Sequence, residues 1–469
     1  MNATEAGYPN GQASEIGGQL DRGAALNRQR RFLSALDPDT VLLDDFRELI
    51  EAAWRESGAG TTGRLGKREP SAPLRVLLLG YTGAGNTGAD LRTIETIRQL
   101  RALFADRPLA LTVFVLGGLL DHPDLRSVDI LSLGNDYLPD AIAQAIPHFD
   151  VVLNVEGSTY TSKFSDALAA LLIGGVGLAA ANGRVACAYG IDAGAMSERL
   201  SRFAGATAQG VDVVCRSRGA AERLRSLGLT VEEGADAAWD FRAADDARPA
   251  LPPRYAVLCP NNPFWWPVQT DVRRALELEL AGASSALRYG PVSFHAWDDL
   301  RAARFDAYKR GFAAIAEGLR RRGYAPVFVA MEQLDRAACE EIAALLPFEA
   351  PVLARGADSL DAVVGTLEQA QWVVTTRYHA CVMAIANRVP VVGVSMDSRI
   401  DQLFAEHGLS DWTLSCEEQG FDRGVLERID AGVGPVLDDL RDRYARIAQD
   451  QSRGFARMGE RLKQRILAA

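Results

Sequence analysis

Arg377 and His379 stand two residues apart in Thr375-Thr376-Arg377-Tyr378-His379-Ala380, between the apolar run Trp372-Val373-Val374 and the small-residue stretch Ala380 to Asn387. The pattern reads as strand, corner and helix, which places a permanent cation and a titratable imidazole at a positively polarised helix N-terminus. Such a corner suits an anion. The alternative is a structural, hydrogen-bonding His379 and an Arg377 paired with a core carboxylate. Among five histidines, this one alone has an arginine two residues earlier in a strand-to-helix corner.

Four further groups carry candidate chemistry. Gly83-Ala84-Gly85-Asn86-Thr87-Gly88, followed by Asp90, has the Gly-x-Gly-x-x-Gly spacing after a strand and before a helix, where backbone N–H groups can approach an anion or a sugar closely. A dinucleotide site is disfavoured, because Gly83 comes three residues after the strand-ending Gly80 and the next strand ends in Leu116-Gly117-Gly118 without an acidic residue for a ribose. A plain structural loop remains the other reading. Glu156, Ser158, Thr159 and Lys163 gather a carboxylate, hydroxyls and an amine after another strand; the hydroxyls can be ordinary helix caps, whereas Glu156 at the end of a buried strand needs a partner or a ligand. It can orient hydroxyls or act as a general base. Arg216 and Arg218 follow Val213-Val214-Cys215, and Asp236 and the pair Trp265-Trp266 fall near a domain junction, where the tryptophans either stack on a sugar or pack the interface.

The elements that must position these residues alternate. Strands are expected at 74–80, 110–115, 151–155, 184–189 and 212–215, with helices at 90–104, 140–146, 163–181 and 220–227. A second alternation follows: strands at 255–259, 325–330, 372–375 and 391–394, and helices at 305–321, 336–346, 359–369 and 380–387. Both halves therefore predict an open parallel sheet covered on two faces, with ligands at the carboxyl ends of the strands and between the halves. The expected organisation is a tail, helical extension and linker over 1–73, an α/β domain over 74–245, a second over 254–433 and a long helix over 434–469 packing across both. Residues 1–23 read as a disordered tail, and 57–73 and 243–253 as linkers.

Composition excludes several classes. A formal net charge of −10 argues against a nucleic-acid or anionic-membrane binder, so an anionic ligand must be held by local arginines. Six scattered cysteines, without metal spacing, read as reduced core residues, and no metal site is expected. The start of the chain lacks a signal-peptide pattern, and the uncharged run 167–182 is shorter than the ~20 residues of a membrane span. A cytoplasmic protein with no integral membrane segment is expected, with homo-oligomerisation left open.

In their order and spacing these pieces resemble the polysaccharide pyruvyltransferase family. The resemblance runs over about residues 74–410, through Gly80 to Asp90, Glu156 to Thr159, Tyr189 to Gly194, Arg216 to Gly228, Asp236-Ala237, Asp335, Thr376 to Ala380, and Val389-Pro390 to Asp397-Ser398-Arg399. It implies two Rossmann-like domains facing each other across a cleft, the arrangement called GT-B, with the acceptor on the N-terminal and the donor on the C-terminal side. It further implies transfer of a pyruvyl group from phosphoenolpyruvate, a co-substrate and not a bound cofactor, to hydroxyls of a sugar or other hydroxylated acceptor, forming a ketal. By carry-over, His379 is the acid or phosphate contact, and Arg377 and Arg216 are the anion clamps. Gly83, Gly85, Asn86, Asp90, Glu156, Ser158, Thr159, Lys163 and Asp236 would line the substrate side. The chain departs from the family pattern at Ala89, at Glu156 with Lys163 downstream, and at Ser217, all on the acceptor side, so the acceptor stays open. Two competing readings are a glycosyltransferase of the same architecture, with Glu332 or Asp335 holding a nucleotide sugar's ribose, and a catalytically silent binding protein of the same fold.

Overall fold

Leu74–Leu79 is apolar at five of its six positions, and that run becomes β1, a buried interior strand of a sheet. The computed structural model describes residues 22–57, 72–118, 120–132, 136–244 and 249–469. The tail expected at 1–23 and the linker expected at 57–73 lie almost entirely outside these residues, as does the middle of the linker expected at 243–253.

Around β1 the chain lays β2 (Leu109–Phe114), β3 (Asp129–Leu131), β4 (Val151–Asn154), β5 (Val185–Ile191), β6 (Asp212–Cys215) and β7 (Val231–Glu233), in the order β3-β2-β1-β4-β5-β6-β7. Every pairing is parallel. The second sheet is built from β8 (Tyr255–Cys259), β12 (Ala325–Ala330), β13 (Val352–Ala354), β14 (Trp372–Thr375), β15 (Val391–Ser395) and β16 (Thr413–Ser415), in the order β13-β12-β8-β14-β15-β16, again parallel throughout. Between β8 and β12 the chain inserts a small antiparallel sheet of β9 (Val268–Thr270), β10 (Arg288–Tyr289) and β11 (Ser293–His295). Strands of two or three residues are too short to show a period of two, which is why this sheet and the edge strands β3, β7, β13 and β16 were not legible as pattern.

Each large sheet reverses its strand order at one place, between β1 and β4 in the first and between β8 and β14 in the second. Ligands of open parallel sheets bind at such points, outside the carboxyl ends. The loops concerned are 80–86 and 155–161 in the first half, and 260–267 and 376–377 in the second.

The helix Asp166–Ala181 is nearly all Ala, Gly and Leu, and its small residues admit a second layer. The helix Pro38–Ser57 lies on it, with Phe46 against Gly174 and Ile50 against Gly177. That run is therefore a buried helix, and among the described residues no helix is long and apolar enough to cross a membrane. At the other end of the chain, Pro435–Ala468 spans about 51 Å at 1.5 Å per residue. Its Arg443 donates to the carbonyl of His407, whereas Phe455 accepts at its carbonyl from Gln99 and Met458 Sδ accepts from the amide of Ala235, so the helix ties the second half to the first. All six cysteines are free and buried.

Candidate active site

The two reversal points face each other, and the backbone is joined there. Thr87 N–H donates to the Met331 carbonyl (2.8 Å), Gln333 N–H donates to the Gly85 carbonyl (3.0 Å), and Asn86 bridges Glu332 as an antiparallel pair. Tyr81, Asn86, Gly88, Glu156 and Ser158 from the first half meet Glu332, Arg377, Tyr378, His379 and Arg399 from the second around one cavity. Trp266 and Tyr289, carried by the small sheet and the loop before it, close its apolar wall with Phe164 and Leu168.

Arg377 is the N-cap of the helix Tyr378–Ala386, not a residue upstream of a helix starting at Ala380. No side chain caps this helix; Ala380 N–H donates to the Arg377 carbonyl (3.1 Å), which leaves the amides of Tyr378 and His379 for a ligand. The Arg377 guanidinium grips Asp335 in bidentate fashion, Nε to Oδ2 at 2.8 Å and Nη2 to Oδ1, and Nη2 also stands 3.0 Å from Glu332 Oε2. The carboxylate-pairing alternative thus holds for part of its fork. Burial pushes the Asp335 carboxyl up, against the pull of Arg377 and with the push of Glu332.

His379 reaches across into the first half. Its ring lies on Gly88, where a Cβ would fall inside the imidazole, and its Nε2 stands 3.5 Å from Asp236 Oδ2. Only a glycine at position 88 permits this approach. Asp236 is fully buried; Arg92 and Arg216 each place Nη1 2.8 Å from Oδ2, and Oδ1 accepts from Ala238 N–H. Arg216 is held in turn by Asp192, at 2.6 and 2.9 Å, and its guanidinium covers the Tyr378 ring at 3.8 Å. Burial works against the Asp236 charge, yet Arg92, His379 and Arg216 hold its carboxyl well below the usual range. Burial lowers His379 below the ordinary imidazole value, and Asp236 opposes that shift.

On the opposite wall Glu156 accepts from the amides of Tyr81 (3.3 Å) and Ser158 (3.1 Å), which stabilises a carboxylate at the end of β4. Arg399 donates from Nη1 to Ser158 Oγ (3.1 Å), grips Asp397 through Nε and Nη2, and lies 4.7 Å over the Phe164 ring. Although burial opposes it, Arg399 pulls Asp397 down to about 2. Tyr289 donates to Tyr81 Oη, and burial with the nearby Glu332 charge raises the Tyr81 phenol.

Of the twelve residues that the resemblance implies for the site, Asn86, Glu156, Ser158, Arg377 and His379 line the cavity. The other seven lie outside that lining. Arg216 and Asp236 form the ion cluster behind His379 and have no free face for a substrate. Asp90 accepts from Gly83 N–H and from Arg355 at 2.5 Å, a buried strut between the two halves. Gly83, at φ +77°, packs against the Gly118 carbonyl, and Gly85 against Gln333. Thr159 bonds the Glu156 carbonyl, and Lys163, its ammonium lowered by burial, donates to the Met396 carbonyl. Arg92 and Arg355 give no signal in the sequence because their polarity hides their burial, and Tyr289 gives none because its strand has two residues. Among the described residues no cluster of His, Cys, Asp and Glu is placed to hold a metal ion.

No curated protein matches the chain. Among solved structures, a candidate UDP-N-acetylglucosamine 2-epimerase from Listeria monocytogenes superposes with a TM-score of 0.51 at 14% identity, over 83% of this chain and 95% of that one. The UDP-GlcNAc 2-epimerase of Neisseria meningitidis gives 0.48 at 10% identity over 84% and 100%, and Acinetobacter baumannii MurG 0.40 at 12% over 80% and 95%. At such identities the first of these likenesses carries fold alone, and that fold is the GT-B arrangement of two facing parallel-sheet domains. The sequence model of polysaccharide pyruvyl transferases matches residues 31–398, a span that takes in Arg377 and His379. Since this is well over half of its length, the chain belongs to the polysaccharide pyruvyl transferase family, a family of sugar-modifying transferases.

Proposed function

We propose that the protein transfers a pyruvyl group from phosphoenolpyruvate to two hydroxyls of a sugar-like acceptor. The observation that carries this reading is the pairing of Arg377 and His379 on an uncapped helix N-terminus, in a cavity whose other wall bears Glu156. The donor's phosphate or carboxylate takes the amides of Tyr378 and His379 and the Arg377 N–H that Glu332 now accepts, a charge-assisted contact. His379 gives a proton to the methylene carbon, and the oxocarbenium-like centre at C2 is attacked by one acceptor hydroxyl, whose proton passes to Glu156. The second hydroxyl then displaces phosphate, which leaves with the remaining proton, and the methylene has become the methyl group of the ketal. Trp266 and Tyr289 offer an aromatic wall for the acceptor ring.

A nucleotide-sugar glycosyltransferase would need a free carboxylate for ribose in the second half, and both candidates, Glu332 and Asp335, are engaged with Arg377. Calorimetric titration with phosphoenolpyruvate at low salt tests the donor. The wild type should bind, and Arg377→Lys, which keeps the charge and loses the fork, should bind roughly ten- to hundredfold more weakly, the loss of about 1.5–3 kcal/mol for a charged hydrogen bond. A wild type that binds nucleotide sugars and not phosphoenolpyruvate overturns the reading.

A further inference from the structure

Asp236 and His379 belong to opposite halves of the molecule and meet only because residue 88 has no side chain. The carboxylate is fully buried, its charge is secured by Arg92 and Arg216, and its Oδ2 is the group that Nε2 of His379 faces at 3.5 Å. Nε2 is buried and has no hydrogen-bond partner closer than that. The other ring nitrogen, Nδ1, lies over Gly88 at the first turn of the helix Thr87–Leu103, beside the cavity.

We infer that Asp236 is a positioning residue for His379: it turns Nε2 inward, leaves Nδ1 to the cavity, and supports the imidazolium only when the two halves are together. The proton donor is thus assembled by domain contact, since the second half supplies the imidazole and the first supplies its counter-charge. At 3.5 Å the pair is poised and not yet a full hydrogen bond, as is common before a ligand tightens a site. The arrangement gives the Arg92–Asp236–Arg216–Asp192 cluster a purpose. A lone buried aspartate would protonate, whereas one flanked by two arginines stays charged and accepts from histidine. The other ionisable groups around His379 are Tyr378 beneath it and Glu156, Glu332, Arg377, Arg399, Tyr81 and Tyr289 across the cavity. They are common to every variant below.

This assignment rests on reading His379 as the proton donor, but its test needs neither donor nor acceptor, so the two can fail separately. The imidazole Cε1–H resonance of His379, identified by its loss in His379→Gln, is titrated in the wild type, in Asp236→Asn and in Gly88→Ala. Removing the counter-charge in Asp236→Asn should lower the His379 pKa by about one unit or more, the usual effect of an opposite charge within 4–6 Å. Gly88→Ala touches none of the buried ions and suits a helix, yet its Cβ evicts the ring from its seat; relieved of burial, His379 should titrate higher, towards the ordinary value. Opposite shifts in the two variants support the assignment. An unchanged His379 titration in Asp236→Asn overturns it, and if that variant does not fold, an unchanged titration in Gly88→Ala does so.

Discussion

Arg216 and Arg377 both follow an apolar strand and carry the same charge, so the sequence offers them as equal candidates for gripping an anion. Packing separates them. Arg377 lines the cavity, while Arg216 is enclosed between Asp192 and Asp236 beneath Tyr378. Arg216→Ala leaves two buried carboxylates short of a partner and should destabilise the fold by about 3–5 kcal/mol in urea unfolding. A variant of undiminished stability that has lost donor binding would return Arg216 to the role of a clamp. Glu156 shows the same lesson from the other side: the demand that a strand-ending carboxylate be satisfied is met by two backbone N–H groups, a solution no side-chain pattern announces.

At the scale of elements, a helix rich in Ala and Gly has low hydrophobic contrast between its faces, and its sequence says only that it is buried. Its glycines say more once the partner is seen, because a Cβ at Gly174 would stand 2.6 Å from the Phe46 ring. Gly174→Ala should therefore cost about 1–3 kcal/mol by overpacking, against its gain in helix propensity, and thermal unfolding measures the difference. A stabilised variant would mean that the helix Pro38–Ser57 is free to shift. The same helix layer reaches the far half: Thr270 of β9 donates to Asp39 at 2.6 Å, and Phe164 accepts at its carbonyl from Val268 N–H, so the small sheet is held by the first half although it belongs to the second.

Across the whole molecule, pH acts through buried histidines. His295 on β11 is 3% exposed, stacked 4.5 Å from Trp265, and burial lowers it to about 4. The folded state holds it neutral while the unfolded chain binds a proton near 6.5, so its contribution to stability is present above that value and is lost as pH falls towards about 4. His295→Phe lacks this term. Measured by urea unfolding at about pH 7.5 and about pH 4.5, the difference between variant and wild type should move in favour of the variant by about 2.5 kcal/mol on acidification. A difference that does not change with pH would show that His295 keeps its proton affinity on folding. Comparing one variant with the wild type removes the opposing trend of buried carboxylates such as Asp90 and Glu95, which burial raises.

The sequence by itself determined the two parallel sheets, because strands buried on both faces are continuous apolar runs and the helices between them have a period. It also determined the corner Arg377–His379, since a strand end, two functional side chains and a helix start are consecutive in the chain. The same locality could not tell a lining residue from a supporting one. Asp90 finds Arg355, Asp236 finds His379, and Arg399 finds Ser158, partners separated by 265, 143 and 241 positions. Those pairings exist because both strand orders reverse at the places where the two halves touch, and such a reversal is a property of the assembled sheets with no trace in any local period.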